Sequence, residues 1–467
     1  MVTFIGMQSN MAGIGFELAK LLKQGSYSSL IRAFGLTAFI GAGPGLFIIL
    51  SLGIICFFTL FATPNSLISG EFLIIVIYLL SSSMIVSAFF QYTFFRFVAD
   101  KVFLEQFSLI LPNFNGVLLV QIMISMFFSI GALIYFFSGY SIFLKGLLLA
   151  NQVMLSLIWL ITVVLTGLKS LRFIAWGFGL GYGAMVLLHF GIGINTLDML
   201  LFEFLLAQII VFLFLFHAII DFYPTDMLIR FDFLKSENLY YRLLFANFFY
   251  TAGFWVDKYL FWFNPITGYS LNPPLNSSPI YDIPMLVASL TTIPAMTSFI
   301  LYMESQFAII FPQLMETIYK HKTLAEIVRV RDDLIHSAQS AIYHLLKTQA
   351  GLVIICCLSA SFIFEIFQIS SLSLHLLFIL LIGVALQLVL WALLSILYYL
   401  TQYQAVLVVS FLFFISNLFF TQASIAAGPE YYGYGYCLSL LISVSYALWS
   451  LNRGFRDILY YTFMMTE

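Results

Sequence analysis

The chain has 467 residues, 62% of them hydrophobic and only 9% charged, with a mean hydropathy of +1.04 and a formal charge of -2. A water-soluble fold, in which about 25% of residues are charged, cannot hide that much apolar surface, and a near-neutral chain offers no basic face to nucleic-acid phosphates. Four cysteines, Cys56, Cys356, Cys357 and Cys437, lie in or beside apolar segments without metal-ligand or disulfide spacing; they read as small apolar residues, and no metal or other cofactor is expected.

From the start, residues 1–33 form a predicted cytoplasmic segment carrying Lys20, Lys23 and Arg32, without the short apolar core and small-residue cleavage site of a signal peptide. A bilayer core about 30 Å thick requires about 20 apolar residues per helix. That ruler predicts twelve spans, at about 34–61, 70–97, 115–139, 142–167, 172–194, 197–221, 241–264, 284–310, 344–368, 371–399, 402–425 and 435–462. The expected class is therefore all-α, a polytopic membrane protein. Cationic residues gather in short cytoplasmic loops. With both termini in the cytoplasm, every Lys and Arg falls on the inner side except Lys145, at an outer turn, and Lys258, inside span 7. A count of eleven or thirteen spans would move whole clusters to the wrong face.

In span 1, Gly41-Ala-Gly43-Pro44-Gly45 weakens the helix, which suits either close packing or a hinge. No strand precedes it and no Lys-Ser/Thr follows, so it is not a phosphate loop. Glu203 lies in span 6 and reads either as a proton-coupling carboxylate or as an interface residue. The segment from Phe222 to Tyr241 then divides the chain into two six-helix halves, 34–232 and 233–467. Such a plan is expected of transporters built from two halves, with the substrate passing between them.

Span 7 carries Asp257–Lys258 in GFWVDKYLFWF. Ionisable groups in lipid are costly, so this pair is the leading candidate for a solute-facing site. Neighbours on a helix point about 100° apart, which predicts that the two do not face one another. The alternative is Lys258 snorkelling to the outer interface beside Trp255 and Trp262. Pro294 is expected to kink span 8 ahead of Glu304, a further candidate for polar lining. Residues 306–343 form a predicted cytoplasmic helical segment with Leu324, Ile327, Val328, Leu334 and Ile335 near one face, suited either to a cytosolic partner or to lipid headgroups. The 26 Tyr and 53 Phe read by position as interfacial belts, although the same rings could stack on sugars in a carbohydrate conduit.

Three stretches carry a resemblance: MAGIGFELAKLLKQGSYSSLIRAFGLTAFIGAGPG from Met11 to Gly45, AGFWVDKYLFWFNP from Ala252 to Pro265, and TIPAMTSFILYMES from Thr292 to Ser305. They resemble the PelG family of Pel exopolysaccharide exporters, within the multidrug/oligosaccharidyl-lipid/polysaccharide exporter superfamily. The resemblance implies export of an N-acetylhexosamine-rich polymer for a biofilm matrix across the bacterial inner membrane. It also implies work alongside a cytosolic glycosyltransferase, PelF, and the membrane proteins PelD and PelE. Members of that family begin near MAGIGFEL, which makes Met11 the expected initiator.

The expected function is thus polysaccharide transport by alternating access, with entry near spans 1, 7 and 8. Asp257, Lys258, Glu304 and Glu203 are the candidate polar groups; Gly41, Gly43, Pro44, Gly45 and Pro294 are the candidates for hinging or packing. A membrane-embedded glycosyltransferase is disfavoured, because the longest outer loop, Asn264 to Ile283, holds one carboxylate, Asp282, and no base. Export of a small molecule or a lipid-linked oligosaccharide is the remaining alternative.

Overall fold

The computed structural model describes residues 20, 26–62, 66–137, 139–167, 171–193, 195–236, 238–272, 275–320, 322–366 and 370–464. The Met11 start, Lys23, Lys169 and most of the N-terminal segment lie outside the described residues. The helices in chain order are α1 (Tyr27–Gly41), α2 (Gly43–Ala62), α3 (Ser66–Phe103), α4 (Ile110–Phe136), α5 (Ile142–Gly167), α6 (Leu171–Ile192), α7 (Leu197–Phe222) and α8 (Tyr241–Phe263). A two-stranded antiparallel hairpin, β1 (Tyr269–Asn272) and β2 (Leu275–Ser277), follows. Then come α9 (Pro279–Leu290), α10 (Thr292–Tyr302), a π-helical turn over Met303–Phe307, α11 (Ala308–Tyr319), α12 (Leu324–Ile366), α13 (Ser371–Tyr399), α14 (Tyr403–Ala427) and α15 (Tyr434–Met464).

The protein is an all-α, multi-pass membrane protein. Among the described residues, ten helices or helix chains are long and apolar enough to cross a bilayer, and α1 with α2 would make an eleventh. The 23-residue α8 has the length for a further crossing, but aromatic rings, Arg242, Asp257 and Lys258 take the place of aliphatic residues. Polar side chains inside these helices satisfy themselves locally, as lipid requires. Thr37, Thr59, Ser156 and Thr297 each donate to the carbonyl four residues earlier. Side-chain oxygens of Ser26, Thr196 and Ser370 cap the starts of α1, α7 and α13.

Two predicted spans are not single helices. Span 1 is broken at Ala42, inside the Gly-Ala-Gly-Pro-Gly run. Span 8 is interrupted at Thr291 and again at the π turn. The interruption precedes Pro294, which sits in the first turn of α10, where its missing N–H would have had no helical partner in any case. The expected kink therefore lies three residues before the proline.

Packing divides the chain into two compact units: Gly43–Ser278, and the residues up to Ala42 together with Pro279–Glu467. This boundary falls elsewhere than the 232/233 division of the sequence. Helix α8 packs on α3, as in the Ser81–Tyr259 and Asn247–Gln91 hydrogen bonds, and α1 packs on α10. In the first unit, α3, α5 and α7 enclose a core of Phe72, Phe94, Phe114, Phe178 and Phe204. In the second, α13 is the central helix, with Leu377, Leu380, Leu393 and Ile396 fully buried and Tyr436 of α15 donating to Gln387 Oε1 at 3.1 Å.

Candidate functional site

In α8 the carboxylate and the ammonium meet. Lys258 Nζ lies 3.2 Å from Asp257 Oδ2 and donates to the Phe254 carbonyl at 2.8 Å, with the rings of Phe254 and Trp255 at 4.6 and 5.7 Å. Asp257 is 0% and Lys258 7% exposed. Two expectations are corrected here. The 100° between neighbours fixes the Cβ directions only, and a four-carbon stem leaning toward the helix N-terminus swings the ammonium back over its neighbour. Nor does Lys258 snorkel to the exterior: its charge is neutralised in place, as a buried ion requires.

Beside this pair, α3 carries a run of polar residues in an apolar helix. Tyr78 donates to the Asn276 carbonyl at 2.9 Å, Ser81 pairs with the Tyr259 hydroxyl at 2.8 Å, and Ser82 Oγ lies 2.9 Å from the Gln152 amide. Trp159 donates to Ser83 at 3.0 Å, and Asn247 of α8 reaches Gln91 at 3.1 Å. A cavity of about 290 Å³ opens between α3, α4, α5 and α8, below β2. Most of its wall is apolar, with rings from Phe128, Phe136, Phe137 and Phe263, and its polar groups come from Tyr78, Ser82, Ser129, Gln152 and Tyr259. Tyr78 and Tyr259 also pack on Trp262, at 4.8 and 5.0 Å between ring centroids. Tyr259 and Phe263 of span 7 thus line this cavity. Tyr78, Ser82 and Gln152 escaped the sequence reading, which weighed only ionisable groups; the signal was the run Ser81-Ser-Ser83 with Ser87 and Gln91 further along one hydrophobic helix.

Glu203, on α7, is fully buried and pairs with His189 Nδ1 of α6 at 3.1 Å. The sequence reading missed His189, because only the antiparallel packing of α6 and α7 brings positions 14 residues apart together. Glu304 sits half-buried in the π turn of the other unit, within electrostatic reach of Tyr399. Of the four candidate polar residues, Asp257 and Lys258 touch each other.

At Gly41 an added Cβ would meet the flexible end of Ile300 at 2.8 Å, so α1 packs closely there. Gly43 has only ordinary contacts and Gly45 borders open space, so packing does not demand a glycine at either. In the 306–343 segment, Ile327 and Leu334 are buried, and α12 packs on α10 and α11. Much of its apolar stripe is therefore already covered by this chain. Among the described residues no group of three or more His, Cys, Asp or Glu is arranged to hold a metal.

Several solved structures share the fold. An outward-facing multidrug-resistance MATE family transporter of the MOP superfamily superposes with a TM-score of 0.63 at 14% identity, covering 96% of this chain and 99% of that one. A MATE transporter in its bent conformation gives 0.60 at 12% identity, over 95% and 99% of the two chains. A MOP superfamily transporter from Pyrococcus furiosus gives 0.57 at 14%, over 95% and 98%. No curated protein sequence matches the chain. Residues 11–463 match the family described as "PelG: Putative exopolysaccharide Exporter (EPS-E)". A membrane-exporter fold and a family match over almost the whole sequence agree, and the chain belongs to the PelG family of exopolysaccharide exporters.

Proposed function

We propose that this exporter moves an N-acetylhexosamine-rich polymer across the bacterial inner membrane, with both termini in the cytoplasm, by alternating exposure of a polar route. The observation that carries this reading is the cavity whose largely apolar, ring-rich wall is interrupted by hydroxyl and amide groups from Tyr78, Ser82, Ser129, Gln152 and Tyr259. A sugar leaving water must exchange its hydration for other hydrogen bonds, while its apolar face stacks on rings. At about 290 Å³ the cavity lies near the lower end of the range for ligand sites, about 300–1,000 Å³, and suits one or two sugar rings rather than a folded solute. Asp257–Lys258, a buried ion pair on the same helix as Tyr259 though outside the cavity lining, would serve the same route with groups able to re-pair with hydroxyls or an amide. The break at Ala42 and the π turn at Met303–Phe307 supply places for the helices to bend. Polymerisation falls to a cytosolic glycosyltransferase of the PelF kind, with PelD- and PelE-like membrane partners, and this chain performs no catalysis.

The largely apolar lining of the cavity also suits a small amphipathic solute, which is the second reading. A strain lacking this chain separates the two. Polymer retained in the cytoplasm and lost from the surface supports polysaccharide export; normal surface polymer with altered drug susceptibility supports the small-solute reading and refutes the first.

A further inference from the structure

The buried pair on α6 and α7 has no part in the cavity described above. His189 is 4% and Glu203 0% exposed, and they lie 3.1 Å apart. Glu203 Oε1 is buried without a hydrogen-bond partner among the described residues. A carboxylate that needed only a structural anchor would have both oxygens satisfied. One that must gain and lose a proton needs a free lone pair and a neighbour able to share the charge, and histidine is the side chain that changes charge near neutral pH.

Deprotonated, the pair has a net charge of -1 in a medium that cannot solvate it; with one more proton, on the imidazole or on the carboxylate, it is neutral. Closing the site from water and opening it again change the cost of that net charge, which ties proton exchange to conformation. The position suits exchange. His189 lies one turn before the end of α6, Glu203 lies in the second turn of α7, and the two helices are joined by the short connection 193–196. Only about 10 Å of helix separates Glu203 from that end of the bundle.

The surroundings add few competing charges. The helices packed on α6 and α7 are α2, α3 and α5. Their titratable groups near this end are Cys56 on α2, Glu71 on α3, which accepts from Tyr140, and Lys145 at the start of α5. On the pair's own helices, Tyr182 is buried two turns from His189, and Asp198 lies in the first turn of α7. Arg172, His217 and Asp221, like Arg96, Asp100 and Lys101 of α3, belong to the opposite ends of their helices, about 20 Å or more along the axes. One imidazole and one carboxylate are too few oxygen ligands for sodium or another hard cation. The ion they fit is the proton.

We propose that His189 and Glu203 form a proton-binding site through which the proton gradient drives the conformational cycle of export; the link to export rests on the reading above, whereas proton binding itself does not. The step is balanced: one proton enters the pair from the acidic side, neutralising it, and the same proton leaves to the other side when the site reopens.

The test uses the purified full-length chain in liposomes, with a fluorophore pair reporting its conformation and an acid jump as the only input. Because no polymer is present, failure of the export reading leaves the outcome untouched. The wild type is expected to change its fluorescence as the outside pH is stepped from about 8 to about 5. E203Q and H189N should abolish that response, E203D should retain it with a displaced midpoint, and H217N, at the exposed far end of α7, should respond as the wild type does. Thermal unfolding identifies any variant that fails to fold, and E203D then carries the comparison. A wild type indifferent to the jump, a full response in folded E203Q, or an unshifted midpoint in E203D overturns the proposal.

Discussion

An ammonium group in lipid must place three protons, and at Lys258 the Phe254 carbonyl and the Asp257 carboxylate are among the acceptors. Removing one member strands the other. Asp257→Asn should lower stability by about 3 kcal/mol, in line with buried pairs broken on one side only, as read by thermal unfolding in detergent. Replacing both, as D257L with K258M, should recover most of that stability, because apolar groups of similar volume are at home there. Export by the double variant should stay lost if the pair belongs to the sugar route. Recovery of export along with stability would make the pair purely structural. The sequence exposed these two residues through cost alone, since charges in a span stand out against apolar neighbours. Their mutual contact was hidden, because helical spacing describes where a side chain starts and not where a long one ends. Gln152 and Ser82 were hidden differently: uncharged polar residues blend into a span, and only the packing of α3 on α5 brings them together.

Among the elements, the connection between α7 and α8 is strapped to the start of α4. Arg230 N–H donates to the Pro112 carbonyl at 2.9 Å, and the Asp232 N–H donates to Asn113 Oδ1 at 2.6 Å. At Gly116 any Cβ would stand 2.0 Å from the Arg230 carbonyl oxygen, so backbone meets backbone there. Gly116→Ala should lift this connection and speed its proteolysis or amide exchange; unchanged protection would refute the strap. A hydrogen bond from Lys235, helped by Asn113 and Arg230 against a smaller desolvation cost, holds the Asp232 carboxyl below the usual carboxylate range. A depressed value stabilises the docked state above the ordinary value of about 4. That contribution is lost as pH falls through the lowered value, so acid should open the connection locally. Asp232→Asn should open it already at pH 7, at a cost of about 1 kcal/mol. Helix lengths and positions were largely legible, because apolar runs and glycine or serine boundaries follow directly from lipid and capping. The π turn at Met303–Phe307 was not, since one extra residue per turn leaves no mark on composition, and the break before Pro294 was misplaced because proline costs nothing in a first turn.

For the whole molecule, the exporter fold and the family rest on agreement between a hydropathy pattern, three sequence stretches and a superposition spanning nearly the full chain. The packing units cut the chain at 42/43 and 278/279, although the sequence is most simply divided after span 6. Hydropathy counts crossings; it does not say which crossing a helix packs beside. The orientation inferred from the cationic loops predicts that cysteines replacing Arg230 and Arg329 are labelled from the same, cytoplasmic, face, and labelling from opposite faces would contradict it. Translocation itself can be followed in inverted inner-membrane vesicles, whose cytoplasmic face is outermost. Polymer made on that face from added nucleotide sugar should become protected from an added hexosaminidase with time, in vesicles containing this chain and not in vesicles lacking it. Equal protection in the two would contradict export through this protein.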